Sequence, residues 1–207
     1  MKYIYHDNQP KVRLGSISFS ERELKDLVLA WLAISFAFAN LLSGLSGLMP
    51  AFVVSSLTVG AGFVFHEMGH KILAQRYGAW AEFRAWKQML LFAVLLSFLG
   101  FVLAAPGAVM ISGRTIGKSR NGKISAAGPA MNFIMALLFL PFFVYFSEGI
   151  LSMIGRYGFV INTWLGLFNL IPFAMFDGKK IFEWNKAVYG VLIGVGLLFL
   201  LFSSLPI

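Results

Sequence analysis

Uncharged stretches of roughly 20 residues recur from about Leu27 to the C-terminus of this 207-residue chain. A helix of about 20 apolar residues is long enough to cross the hydrocarbon core of a bilayer. The composition agrees, because 58% of the residues are hydrophobic and only 13% are charged, which is far from the balance of soluble domains. The sequence therefore predicts an all-α polytopic membrane protein and excludes an ordinary soluble domain.

The apolar segments predict about five to six transmembrane helices. The segments lie at about 27–42, 51–77, 124–146, 159–176 and 187–202, with a further apolar run at 88–113. Residues 1–26 are polar and charged, so we expect a cytoplasmic N-terminal tail at 1–26 and a single membrane-embedded domain at 27–207. Within the tail, Ser20-x-x-Glu23 has the pattern of a capping box and predicts that the first helix starts there.

The basic residues indicate how the chain is oriented. The net charge is +8, but in a membrane protein the position of basic residues matters more than their sum. They gather in the N-terminal tail, at 71–87, at 114–123 and at 179–186, whereas Arg156 stands apart. The positive-inside rule assigns the four clusters to the cytoplasm. We expect a multi-pass cell-membrane protein with a cytoplasmic N-terminus, and no nucleic-acid partner is needed to explain the charge.

The apolar run at 88–113 conflicts with a simple count of crossings. Both of its flanks belong to clusters that the positive-inside rule assigns to one side of the membrane. We therefore predict a re-entrant or membrane-associated element after the second helix, with Gly100 and Pro106-Gly107 as places where the chain turns. Non-helical backbone at such depth must be buried in protein or line water. The alternative is a plain extra helix that leaves 114–123 outside.

The second apolar segment contains His66-Glu67-Met68-Gly69-His70, an HExxH pattern. On a helix this spacing sets both imidazoles on one face, where they can bind one ion. Glu67 then has the position of the general base that takes a proton from the attacking water. Three ionisable residues in five positions of a span cost on the order of 3 kcal/mol each. That cost favours a metal or a water-filled cavity over a polar cluster that only packs helices.

A catalytic zinc site needs a third protein ligand. The chain has no cysteine, so the ligand must be His, Asp or Glu. Asp177 falls at the cytoplasmic end of the predicted span 159–176, on the same side as His66, whereas Glu148 lies at the outer edge and Glu183 lies in a basic stretch. Asp177 is therefore the preferred candidate. The alternative is an interfacial carboxylate that pairs with Lys179 or Lys180.

Three motifs follow one another along the chain. They are Phe65-His66-Glu67-Met68-Gly69-His70, then Ala127-Gly128-Pro129-Ala130-Met131-Asn132, then Asn169-Leu-Ile-Pro172-Phe-Ala-Met-Phe-Asp177-Gly178. In this order they resemble the site-2 protease family of intramembrane zinc metalloproteases. Departures from the family pattern are modest: Ala174 stands where a second proline is frequent, and the apolar run before Pro106 is longer than the family's short strand element.

The resemblance implies a function and a set of roles. It implies that His66, His70 and Asp177 hold one Zn²⁺ per chain, that Glu67 activates the attacking water, and that the partner is a transmembrane segment of a membrane-protein substrate within the lipid bilayer. Asn169 then binds substrate or stabilises the oxyanion, unless it serves only as an interhelical hydrogen-bond donor. For Asn132 we expect an interhelical hydrogen-bonding role without a part in the chemistry, and for Gly128-Pro129 close helix packing or a kink.

The motifs also allow two other hypotheses about function. One is a membrane HExxH protease with a glutamate as third ligand, acting at the membrane surface. The other is a non-catalytic membrane protein that binds or transports a metal. Glu148 and Glu183 are the glutamates that the first reading would use.

Overall fold

In the computed structural model, residues 11–102, 106–113 and 116–204 are described. The helices are α1 (Glu21–Ser46), α2 (Leu48–Ser55), α3 (Ala61–Arg76), α4 (Lys87–Ser97), α5 (Lys118–Tyr145), α6 (Gly149–Asn169), α7 (Asp177–Trp184) and α8 (Lys186–Ser203). The strands are β1 (Lys11–Leu14), β2 (Ile17–Ser20), β3 (Trp80–Ala85) and β4 (Gly107–Ser112). A π-helical turn at Ser56–Gly60 joins α2 and α3 into one long helix.

The all-α membrane fold predicted from the sequence is confirmed. Within the described residues, four helical segments are long and apolar enough to cross a membrane: Glu21–Ser43, Leu48–Arg76, Lys118–Tyr145 and Lys186–Ser203. Helix α6 has 21 residues but carries Arg156 and Asn162 among its apolar side chains. The described residues thus contain five long helical segments, within the predicted range of five to six.

Successive long helices run in opposite directions. Lys71, near the end of α3, pairs with Glu23 at the start of α1. His70 bonds to the carbonyl of Ile124 near the start of α5, and the close approach of Gly122 to Trp184 brings the end of α7 to the same place. The start of α1, the end of α3, the start of α5 and the end of α7 therefore meet at one end of the bundle.

The predicted basic clusters gather at this end, because each flanks one of these helix ends. Arg76 closes α3, Lys118 opens α5 and Lys186 opens α8, whereas Arg114 lies outside the described residues. This arrangement agrees with the crossings inferred from the positive-inside rule. Which face of a membrane this end meets stays a prediction.

The segment after α3 leaves the bundle and returns to its starting point. Strands β3 and β4 pair antiparallel, with Trp80 opposite Ser112 and Ala85 opposite Gly107. Between them α4 packs on α1, and Asn40 donates to the Ser97 hydroxyl at 3.3 Å. After α4 the chain turns at Gly100, whose φ of 86° suits glycine. The element is thus membrane-associated with its two ends side by side, and a single crossing does not fit.

The segment predicted as the N-terminal tail contains the start of helix α1. Helix α1 starts at Glu21, and Ser20 caps it by accepting a hydrogen bond from the Glu23 backbone N–H at 3.2 Å, which confirms the predicted start. Part of the tail forms the β1–β2 hairpin, and residues 1–10 lie outside the described residues. Two of the charged residues in this segment, Glu23 and Asp26, are buried against the protein rather than solvated.

The predicted helix at 159–176 is wrong at both ends. Helix α6 spans Gly149–Asn169, and α7 begins at Asp177. Pro172 disfavours helix in its own turn and in the residue before it, and Ala174 has a φ of 49°. A proline ring cannot adopt that φ, which explains physically why the family's frequent second proline does not suit this loop. Asp177 therefore opens a separate short helix instead of closing a span.

Candidate metal centre

The structure brings together three of the predicted site residues. His66 and His70 lie one turn apart on α3, and Asp177 is the first residue of α7. The Nε2 atoms of the two imidazoles are 3.0 Å apart. Asp177 Oδ2 lies 3.4 Å from His66 Nε2 and 3.1 Å from His70 Nε2. All three side chains are buried, so three ligand atoms converge in the protein interior.

These separations suit a tetrahedral zinc ion. Zinc binds imidazole nitrogen and carboxylate oxygen at roughly 2.0–2.2 Å, so two ligand atoms on one tetrahedral ion lie about 3.3 Å apart. The three observed separations of 3.0, 3.1 and 3.4 Å lie close to that value. Within the described residues, these three side chains form the one group of His, Cys, Asp and Glu whose ligand atoms lie this close together.

The hydrogen bonds of the two rings fix which nitrogen faces the ion. His70 Nδ1 lies 2.8 Å from the carbonyl oxygen of Ile124, which can only accept, so Nδ1 carries the proton. His66 Nδ1 lies 2.7 Å from Asn132 Oδ1 and donates in the same way. The neutral rings therefore present two unprotonated Nε2 atoms beside a carboxylate oxygen. Acceptors that face one another need a cation between them, and this donor set fits zinc.

Asn132 makes interhelical hydrogen bonds, as expected, and it also contacts one of the candidate metal ligands. Its side-chain nitrogen donates to the Gly62 carbonyl at 3.2 Å and to Asn162 Oδ1 at 3.3 Å, which turns its oxygen toward His66. Asn162 in turn donates to the Gly158 carbonyl at 2.8 Å. This buried amide network ties α3, α5 and α6 together and orients a metal ligand, as hydrogen-bond partners of metal-bound histidines do. An asparagine within an apolar span was the available sequence signal.

Gly128 lets α5 pack directly against the two imidazoles. A Cβ at this position would lie 2.4 Å from His70 Nε2 and 2.7 Å from His66 Cε1. The expected packing role of the Gly128-Pro129 step is thus a role beside the metal ligands. Gly69 is equally crowded, since its Cβ would lie 2.7 Å from the carbonyl oxygen of Ala127.

Glu67 is buried next to the ligands but is not one of the three converging groups. Its Oε2 accepts a hydrogen bond from the backbone N–H of Val109 in β4 at 3.0 Å. The β3–β4 pair therefore holds one carboxylate oxygen, and the other is available to a proton. This position suits a general base.

Asp177 is buried, with one carboxylate oxygen facing the Nε2 atoms of both imidazoles. Lys180 Nζ also lies 3.9 Å from Oδ1. The lysine pairing considered from the sequence thus exists at one oxygen, while the other oxygen faces the imidazoles.

The remaining candidates lie elsewhere. Asn169 donates to the carbonyl of Leu165 in its own helix at 2.9 Å, so its substrate or oxyanion role stays a prediction. Glu148 and Glu183 are exposed and neither belongs to the converging group. The hypothesis of a protease with a glutamate as the third zinc ligand is therefore not supported by this geometry.

Comparison with known proteins gives relatives for the chain, although no family model and no solved structure matches it. Two relatives are named "Putative zinc metalloprotease". MJ0611 of Methanocaldococcus jannaschii is 41% identical over 175 residues, which cover 84% of this chain and 90% of that protein. Rip3 of Mycobacterium tuberculosis is 27% identical over 183 residues, which cover 82% of this chain and 42% of Rip3. The chain therefore belongs to a family of zinc metalloproteases, in agreement with the resemblance of its three motifs to the site-2 protease family.

Proposed function

We propose that this chain is an intramembrane zinc metalloendopeptidase. It hydrolyses peptide bonds in or near transmembrane segments of membrane-anchored substrates, as in regulated intramembrane proteolysis. The observation that carries the proposal is the convergence of His66, His70 and Asp177 beside Glu67, within helices apolar enough to cross a bilayer. The names of the relatives support the zinc protease chemistry, and the apolar helices support a reaction at membrane depth.

The depth of the site follows from its neighbours on α3. Lys71 lies level with Glu23 at the charged start of α1, and His66 precedes Lys71 by five residues, or about 7.5 Å of helix. The reaction therefore takes place about one and a half turns below this charged level. Water reaches it from the basic end of the bundle, which the positive-inside rule assigns to the cytoplasm of a multi-pass cell-membrane protein.

The residues divide the chemistry between them. Zinc held by His66, His70 and Asp177 would polarise the scissile carbonyl and acidify the attacking water. Glu67 takes a proton from that water at its carboxylate and passes it to the leaving nitrogen. The Val109 N–H fixes Glu67 in the required orientation. A peptide bond within an intact helix is locked in backbone hydrogen bonds, so the substrate segment must unwind locally.

The test measures metal and cleavage together in proteoliposomes that contain a single-span model substrate. Wild-type protein should bind about one zinc per chain and cleave the substrate, and Asp177→Ala should lose zinc because two ligands remain. Glu67→Gln should keep zinc and lose activity by at least about 100-fold. Zinc binding without cleavage by the wild type would favour metal binding or transport instead, and an active Glu67→Gln variant would exclude the general base.

A further inference from the structure

A buried ion pair lies directly behind the metal ligands. Lys71 follows His70 in the chain, and neither its side chain nor that of Glu23 is exposed at all. Lys71 Nζ donates to Glu23 Oε2 at 2.8 Å and to the carbonyl of Ala81 in β3 at 2.8 Å. Glu23 Oε1 accepts from the backbone N–H of Phe83, also in β3, at 2.9 Å. The pair therefore links β3 by hydrogen bonds to both α1 and α3.

The same face of α3 holds both strands of the β3–β4 sheet. Glu67 and Lys71 are four residues apart and therefore neighbours on one helix face. Glu67 accepts from Val109 in β4, whereas Lys71 donates to Ala81 in β3. Phe83 and Val109 lie directly opposite each other in the sheet. The sheet is thus held to α3 by Glu67 at β4 and by Lys71 at β3, where Gln75 also donates to the Ala81 carbonyl at 3.1 Å. The residue that holds β4 is the candidate general base.

A gain in folding stability does not by itself explain why an ion pair is buried here. Removing two charges from water is costly, and an apolar pair of similar volume often stabilises a protein as well or better. A charged pair does, however, fix orientation, because its hydrogen bonds have defined directions and defined partners. Here the partners are two backbone groups of a single strand, so the pair sets the position of that strand along α3.

We propose that Glu23 and Lys71 are positioning residues for peptide hydrolysis. They fix β3, and through it β4, at the position along α3 where the Val109 N–H meets the Glu67 carboxylate. The inference rests on the proposed function for its catalytic consequence. The mechanical link between the pair and β4 rests on the hydrogen bonds of the structure and can be measured without substrate.

The first experiment compares Lys71→Met with the double variant Glu23→Met/Lys71→Met. The single variant leaves a buried carboxylate without its partner and should lower the thermal midpoint, whereas the double variant removes both charges and should recover much of that loss. Both should keep about one zinc per chain and a KM within about twofold of wild type, while kcat falls at least about tenfold because the general base is misplaced. A double variant with recovered stability and wild-type kcat would overturn the proposal.

The second experiment measures hydrogen exchange of the backbone at 107–112, without substrate. Both variants should exchange faster in this strand, because β3 loses hydrogen bonds of the ion pair and the sheet is held less firmly against α3. The control is Phe159→Leu, which loosens the packing of Phe159 on Phe143 and Phe199 away from the sheet and should change neither kcat nor this exchange. Unchanged exchange in the double variant would overturn the link, whatever its kcat. A wild-type protein that cleaves nothing would overturn the proposed function, and the exchange comparison would still decide the link.

Discussion

The substitution Gly128→Ala should weaken zinc binding by crowding the ligands. The new Cβ would lie 2.4 Å from His70 Nε2, and ordinary contact begins at 3.4 Å, so the helix and the ring must separate by 3.4 − 2.4 = 1.0 Å. Metal-ligand distances tolerate deviations of about 0.2 Å. The displaced imidazole therefore cannot keep its place beside Asp177 without strain.

The magnitude follows from the cost of overpacking a close-packed interior. Inserting one methyl group where nothing can yield costs about 1–3 kcal/mol. If that strain falls on the zinc-bound form, the affinity drops by between about fivefold and about 150-fold. A competition titration against a fluorescent zinc indicator, on purified protein with a wild-type circular dichroism spectrum, measures this range directly.

Gly194→Ala is the matched control. It makes the same change inside a helix, at a position where a Cβ meets nothing within 4 Å. Zinc affinity should stay within about twofold of wild type, because added alanine in open helix is at worst neutral. A folded Gly128→Ala variant with wild-type zinc affinity would refute the close packing of α5 on the two imidazoles.

Three further predictions concern an orienting residue, a loop and the topology. Asn132→Leu removes the acceptor that orients one imidazole, so zinc affinity in the same titration should fall about 10–100-fold; an unchanged affinity would contradict the orienting role. Ala174→Gly should raise the free energy of unfolding by about 1 kcal/mol, because glycine adopts the positive φ without strain, whereas Ala174→Pro should lower the thermal midpoint and the zinc content; a stable, zinc-replete proline variant would argue against the loop geometry. A cysteine probe that cannot cross the membrane should label Ser119→Cys only from the cytoplasmic face and Ser147→Cys from outside intact cells; labelling of Ser119→Cys from outside would reverse the assigned orientation.

Features that depend on neighbouring residues were predictable from the sequence. The HExxH spacing sets His66 and His70 on one helix face because the helical period is close to four residues. The capping pattern at Ser20 fixed the start of α1, and the long uncharged runs indicated the crossings. The re-entrant element was predictable as well, since the charges on its two flanks required one side of the membrane.

Local sequence patterns did not predict the structure where a residue contacts a buried partner that is distant in the sequence. Charges at Glu23 and Lys71 signalled a membrane boundary, yet the fold buries both against β3. The strands themselves are six residues or fewer, and apolar pattern alone does not separate such short strands from helix. The predicted end of α6 was also wrong, because the apolar run in the sequence continues beyond the helix through the loop that contains Pro172 and Ala174.

Local patterns were enough to predict a helical membrane chain with two imidazoles one turn apart and a glutamate beside them, because helix geometry and hydrophobicity act over a few residues. The distant groups that meet these residues became known from the folded chain. Asp177 reaches His70 across 107 positions, Asn132 orients His66 across 66 positions, and Val109 holds Glu67 across 42 positions. Contacts at such separations depend on how whole helices pack, and that packing is decided by the sum of many weak interactions along their lengths.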